Sequence, residues 1–191
     1  SGPRHRPRPM ADPKATYSTR VSGILRPRHT VLDGDGKELG VLDVRRNRLG
    51  LIVSGTWKPA KGEVLEFRRD PGILRAQFSV WTDAREWLGS SIRPGTLRRT
   101  VEMCTGGKAM RLVPTLGFSR GWRIVGPRSG RIAELRHGWF SRGAEIAVYR
   151  KLDFELLLFS YFIGGLALWE SALPTSLEAV DRGMTAATGR R

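Results

Sequence analysis

The chain has few of the residues most used for covalent and metal chemistry. Cys104 is its single cysteine, and His5, His29 and His137 are its three histidines. One cysteine excludes an intramolecular disulfide framework and fits a reducing compartment. Its neighbours Glu102 and Met103 offer nothing that would activate the thiol. The histidines stand alone, with no companion at ligand spacing, so no metal site is expected. Acidic residues are scarce too, 18 against 33 Lys and Arg, and no two of them stand out as an acid and base couple. Ser, His and Asp occur without a nucleophile elbow or a similar local frame. The basic N-terminus lacks an apolar stretch behind it, so no secretory signal is read there. Met10 is a candidate start of the native chain, which would leave residues 1–9 upstream of it. These absences lead to the expectation of a non-enzymatic protein with no cofactor, in the cytoplasm or peripheral to a membrane.

What the chain has in excess is positive charge, a formal +15 over 191 residues. Arg4, Arg6 and Arg8 carry only three of those charges, so the excess belongs mainly to the folded part. Such a balance favours anionic partners, either an acidic membrane surface or nucleic acid. Arg far outnumbers Lys, as a compositional bias would also produce, and an inert scaffold kept soluble by its charge is a further reading. The length suits one domain, and 40% apolar residues suffice for a core.

Residues 1–18, rich in Pro, Arg and Lys, have no hydrophobic period and read as a disordered basic arm. Residues 19–173 read as the domain, and 174–191 as a tail. From Thr19 to Arg150 short apolar runs are broken about every 8 to 12 residues by turn signals. Val31–Leu32 and Leu39–Val44 flank Asp33-Gly34-Asp35-Gly36, a hairpin signal. A Trp57-Lys58-Pro59 loop follows the run at 50–54. Val64–Arg68 alternates, as do Leu74, Ala76, Phe78 and Val80 with the polar residues between them. Further runs are read at 86–92, 97–103, 110–113, 122–125, 132–135 and 144–149. Period two with one apolar face marks half-buried antiparallel strands. Ten to twelve of them with no helix between predict a mainly β fold, a barrel or sandwich.

Phe154 to Leu173 is different in kind. Asp153 is the expected N-cap and Pro174 the stop. Leu156–Trp169, 14 residues, contains no charge and is apolar on every helical face. At 1.5 Å per residue it spans about 21 Å, short of the roughly 30 Å of a bilayer core, so it is read as a core helix. A closed antiparallel sheet of about twelve strands is too wide for side chains alone to fill, and a helix about 10 Å across suits the space. Gly164-Gly165 is expected where wall and helix backbone approach closely.

The order of parts resembles the tubby C-terminal-like superfamily, and within it the phospholipid scramblase and LURP-one-related proteins. The resemblance rests on the hairpin from Val31 to Gly40 and on Asp153-Phe154 opening a hydrophobic terminal helix. It implies a twelve-stranded closed barrel wrapped around a buried hydrophobic C-terminal helix. Tyr149-Arg150-Lys151-Leu152-Asp153 replaces the acidic calcium-associated stretch of scramblases, so calcium-driven scrambling is not expected. A second turn, Arg123 to Ile132, echoes the first hairpin about 94 residues later and hints at two related halves.

Other motifs fail on their spacing. Asp33-Gly34-Asp35 would place Glu38 and Val44 where a calcium loop needs Gly and Glu. Gly34, Gly36 and Gly40 are wrongly spaced for a dinucleotide fingerprint. Trp81 and Trp87 flank one turn and Trp139-Phe140 occupies another; core or rim placement is favoured over membrane or base contact. The expected function is a binding module for anionic phospholipid headgroups, phosphoinositide-like, with a nucleic-acid-binding protein as the alternative. The candidate contacts are Arg68, Arg69, Arg75, Arg98, Arg99 and Lys108, whose planar or ammonium cations suit phosphate.

Overall fold

The computed structural model describes residues 12–23, 27–48, 51–70, 77–84, 86–92, 100–105, 108–115, 121–137 and 143–167. Twelve antiparallel strands close into one barrel in chain order, with β1 (Ala15–Ser22) pairing both β2 (Arg28–Leu32) and β12 (Ala144–Val148). Between them run β3 (Glu38–Arg46), β4 (Ile52–Pro59), β5 (Leu65–Arg69), β6 (Phe78–Thr82) and β7 (Trp87–Ile92). The ring is completed by β8 (Val101–Thr105), β9 (Lys108–Pro114), β10 (Gly121–Gly126) and β11 (Gly130–His137). The chain then enters the barrel as α1 (Phe154–Ser160), which continues as a π-helical segment, Tyr161–Ala167.

The barrel follows from period-two patterning. Leu42, Phe67, Val80, Met103, Leu112, Ile124 and Leu135 point inward and are fully buried. The residues between them, such as Asp43, Arg68, Glu102, Arg111 and Arg123, face outward. This is the inverse of a membrane-spanning barrel, whose outer band is apolar. No described helix is long and apolar enough to cross a membrane.

The helix lies within the ring. Phe67 of β5 stacks on Phe159 and Phe162 at 5.9 and 5.1 Å, and Phe78 of β6 meets Phe162 edge-on. Gly55 of β4 abuts the Phe162 ring, and Ser160 Oγ lies 3.5 Å from Met103 Sδ of β8. Gly164 fits between Leu112 of β9 and Trp122 of β10, where a Cβ would come within about 3 Å of both. The glycine therefore stands where wall and helix backbone converge, as expected. Each fully buried Leu or Phe contributes about 1.5–3 kcal/mol relative to exposure, so the apolar helix is the main filler of the core.

Several expectations need correction. β1 begins at Ala15, inside the stretch read as a disordered arm, because Ala15 and Tyr17 pack against the core and pair with Val148 and Ile146. Trp57 is no loop residue: it lies in β4 and is buried. Pro59 is the last residue of that strand rather than part of a loop after it, a position where its missing N–H costs little. The helix is α only to Ser160, whose hydroxyl bonds back to the Leu156 carbonyl at 2.7 Å just before the π segment. The echoing hairpins are β2–β3 and β10–β11, eight strands apart. Two halves of a twelve-stranded barrel would be offset by six, so the echo reflects turn chemistry. Residues 168–173 of the expected helix, the tail 174–191 and the Trp139-Phe140 turn lie outside the described residues.

Candidate functional site

Among the described residues, the densest charge cluster lies on the outer wall of β10 and β11. Glu134 sits there with its side chain only 4% exposed, between Arg123 (3.6 Å), Arg131 (3.5 Å) and Arg136 (3.2 Å). A buried carboxylate is tolerated when paired, and here three guanidiniums surround it. Arg123 follows from cross-strand register, being the residue opposite Glu134, and Arg136 follows from period two. Arg131 has a different cause. Simple alternation would put positions 131 and 134 on opposite faces, but a register shift between Ile124 and Val125 leaves Ile132 without a partner in the β10 pairing. This bulge turns Arg131 to the Glu134 side. Its guanidinium also lies 4.4 Å over the Tyr149 ring, which fixes it further.

Three cations against Glu134 leave two positive charges, one of them offset by exposed Glu145 of β12, which stands opposite Arg136 on the same outer face. The side chains of Arg123 and Arg136 remain about half exposed, 46% and 54%, so their remaining N–H donors face solvent. Arg111 on β9 stands between Val125 and exposed Glu102 in the strand register, and exposed Arg128 in the β10–β11 turn adds a further cation. Guanidiniums held by a buried acid lose little rotamer freedom on binding, and their forks match phosphate oxygens bidentately.

The residues expected from sequence do not form one site. Arg68 faces outward, donates through Nε to Glu66 at 3.0 Å, and lies 6.0 Å from the Trp81 ring. Arg69 turns the other way, 5.9 Å from the ring of Phe78, an interior residue. Lys108 is on β9, with three strands between it and β5, and pairs with Asp153 at 3.7 Å. Arg75, Arg98 and Arg99 lie outside the described residues. Asp153 occupies the N-cap position, with extended backbone, but its carboxylate makes no capping bond and goes to Lys108 instead. The Glu134 cluster was missed because an acid amid arginines looks in sequence like any solvated strand face, and the bulge that gathers Arg131 leaves no signal.

A smaller cluster occupies the outer face of β2–β4, where Asp43 accepts from Arg28 at 3.2 Å and Lys58 at 2.9 Å. The Lys58 hydrogen bond, followed by Arg28, holds the Asp43 carboxyl below its usual value. Inside the barrel, burial lowers His29 to about 4 and also lowers His137, and burial raises the Tyr161 phenol to about 12. These groups belong to the core rather than to an accessible site. Among the described residues no group of three His, Cys, Asp or Glu is arranged to hold a metal ion. No family model, curated protein or solved structure matches this chain.

Proposed function

We propose that this barrel is a non-enzymatic, scramblase-like or tubby-like binding module that recognises anionic phospholipid headgroups at a membrane surface, by its outer wall. The observation that supports this reading is the Glu134 cluster, in which one buried carboxylate prearranges three arginines on neighbouring strands. The middle of the lumen is taken up by the chain's own helix, so the charged outer wall is the surface offered to headgroups. The cluster is curved with the barrel and small, suiting individual phosphate groups, and the overall charge of +15 draws the molecule to an acidic surface.

The test is sedimentation of the protein with vesicles of phosphatidylcholine alone, then with added phosphatidylserine or phosphoinositide, across a salt series. Binding should require the anionic lipid and fall steeply with salt, each basic contact contributing on the order of 1 kcal/mol. A mixed-sequence oligonucleotide serves as the competing ligand. Tight oligonucleotide binding with a log–log salt slope reporting several phosphates would replace the lipid reading by the nucleic-acid one. Equal, weak, salt-erased binding to both would leave the charge unspecific.

A further inference from the structure

The barrel end through which α1 enters is left open as a cavity of about 820 Å³. Its character contrasts with the rest of the molecule. Phe154, the first residue of the helix, sits between Tyr17 and Trp57, with ring centroids 5.5 and 5.8 Å away, and all three line the cavity. Leu39, Leu65 and Leu88 add apolar wall. The rim carries Asp33, Glu63, Asp153 and Glu155 against Lys61 and Lys108. Lys108 and Asp153 pair with one another, which leaves three carboxylates facing one ammonium. Asp33 is fixed by the N–H groups of Asp35 and Lys37, which donate to its Oδ1 at 3.0 and 2.9 Å. In a chain of formal charge +15 this mouth is a local negative site above an aromatic wall.

We propose that the mouth binds an organic cation with an apolar body, such as an alkylammonium: the body enters against the partly exposed Tyr17, Leu39, Leu88 and Phe154, which buried Trp57 backs, and the charged head stays at the carboxylate rim. Aromatic rings and nearby carboxylates both favour a weakly hydrated ammonium, and water reaches the rim but is displaced from the apolar wall. An anionic amphiphile meets the wrong sign of charge here. The mouth is thus distinct from the β10–β11 wall, and the inference stands whether or not that wall binds lipid.

Calorimetric titration of the full chain with decyltrimethylammonium, kept below its micelle concentration, tests this. A decyl chain ending in a neutral sugar is the comparison. The proposal expects saturable one-to-one binding of the cation, at least about tenfold tighter than the neutral chain. Glu63→Gln and Glu155→Gln, both on exposed side chains, should each weaken the cation about fourfold and leave the neutral chain unchanged. Lys61→Glu should tighten the cation by a similar factor. Equal affinity for the two probes, absence of saturable binding, or cation affinity indifferent to all three substitutions would overturn the proposal.

Discussion

His29 on β2 and Tyr161 on the enclosed helix are joined by a hydrogen bond of 2.9 Å between the imidazole Nδ1 and the phenolic oxygen. The Tyr161 hydroxyl in turn donates to Thr19 Oγ1 at 3.2 Å, and Thr19 accepts the Ala144 N–H at 2.7 Å. Every donor in this chain finds an acceptor when His29 is neutral with its proton on Nδ1. The link ties helix to wall across the β1–β12 and β1–β2 seams.

Acid should therefore loosen the barrel. The folded-state value of His29 is depressed to about 4 from 6.5, chiefly by burial, with Arg46 and His137 adding repulsion, and burial depresses His137 as well. Well above pH 6.5 both histidines are neutral in either state and stability is full. As pH falls the unfolded chain takes up protons first, and stability drops until the folded-state values are passed, near pH 4 for His29. His29 alone contributes a loss on the order of 3 kcal/mol. The window for Asp43, whose value is lowered from 3.8, lies below this one. Urea midpoints at pH 7.5, 6, 5 and 4 read the effect directly. A midpoint constant from pH 7.5 to 5 would contradict the buried neutral histidines.

Tyr161→Phe removes the hydroxyl and strands His29 Nδ1 in the core. The expected loss is about 1–3 kcal/mol, the cost of a buried donor without a partner. Chemical denaturation measures it, and a loss below about 0.5 kcal/mol would mean the network adds nothing.

Placement of the helix inside the ring predicts a compensating pair. Gly55→Val puts a Cβ 2.8 Å from the Phe162 ring and should cost about 1–3 kcal/mol by overpacking. Phe162→Leu alone leaves space and destabilises as well. The double variant should lose clearly less than the sum of the two, and strict additivity would place these residues out of contact. Leu158→Asp, by contrast, should abolish cooperative unfolding, because it buries a carboxylate with no partner.

The barrel and its plug were legible because both leave periodic marks: alternation at Leu65–Arg68 for a wall strand, and an uncharged all-round apolar stretch at Leu156–Leu166 for an enclosed helix. Asp33 announced its turn because its carboxylate binds two backbone N–H groups of the same turn. Trp57 was misread because Pro59 and Lys58 look like a loop when strand ends are not known. The charged β10–β11 wall was the least legible part. Glu134 and Arg123 meet by strand register, and Arg131 joins them through a bulge, neither of which composition or spacing encodes. The choice of Arg68 and Arg69 as neighbours failed on period two itself, which sends them to opposite faces.

Glu134 is expected to organise the patch rather than to contact ligand. Glu134→Gln should destabilise the protein by about 1–3 kcal/mol, since three guanidiniums lose their shared counter-charge. Thermal melts in low and high salt check this, and salt should restore part of the loss by screening the arginines. An unchanged melt in low salt would show the arginines to be independent of it.

The most direct measurement compares two charge-matched double variants for binding to phosphoinositide-containing vesicles. Arg123→Ser with Arg136→Ser removes two charges from the β10–β11 wall and leaves Arg131 paired with Glu134. Arg68→Ser with Lys108→Ser removes the same charge from β5 and β9. At about 1 kcal/mol per contact the first should lose on the order of 30-fold in affinity, and the second less than about threefold. Equal losses from the two variants would contradict a wall-specific site and reduce the binding to net charge.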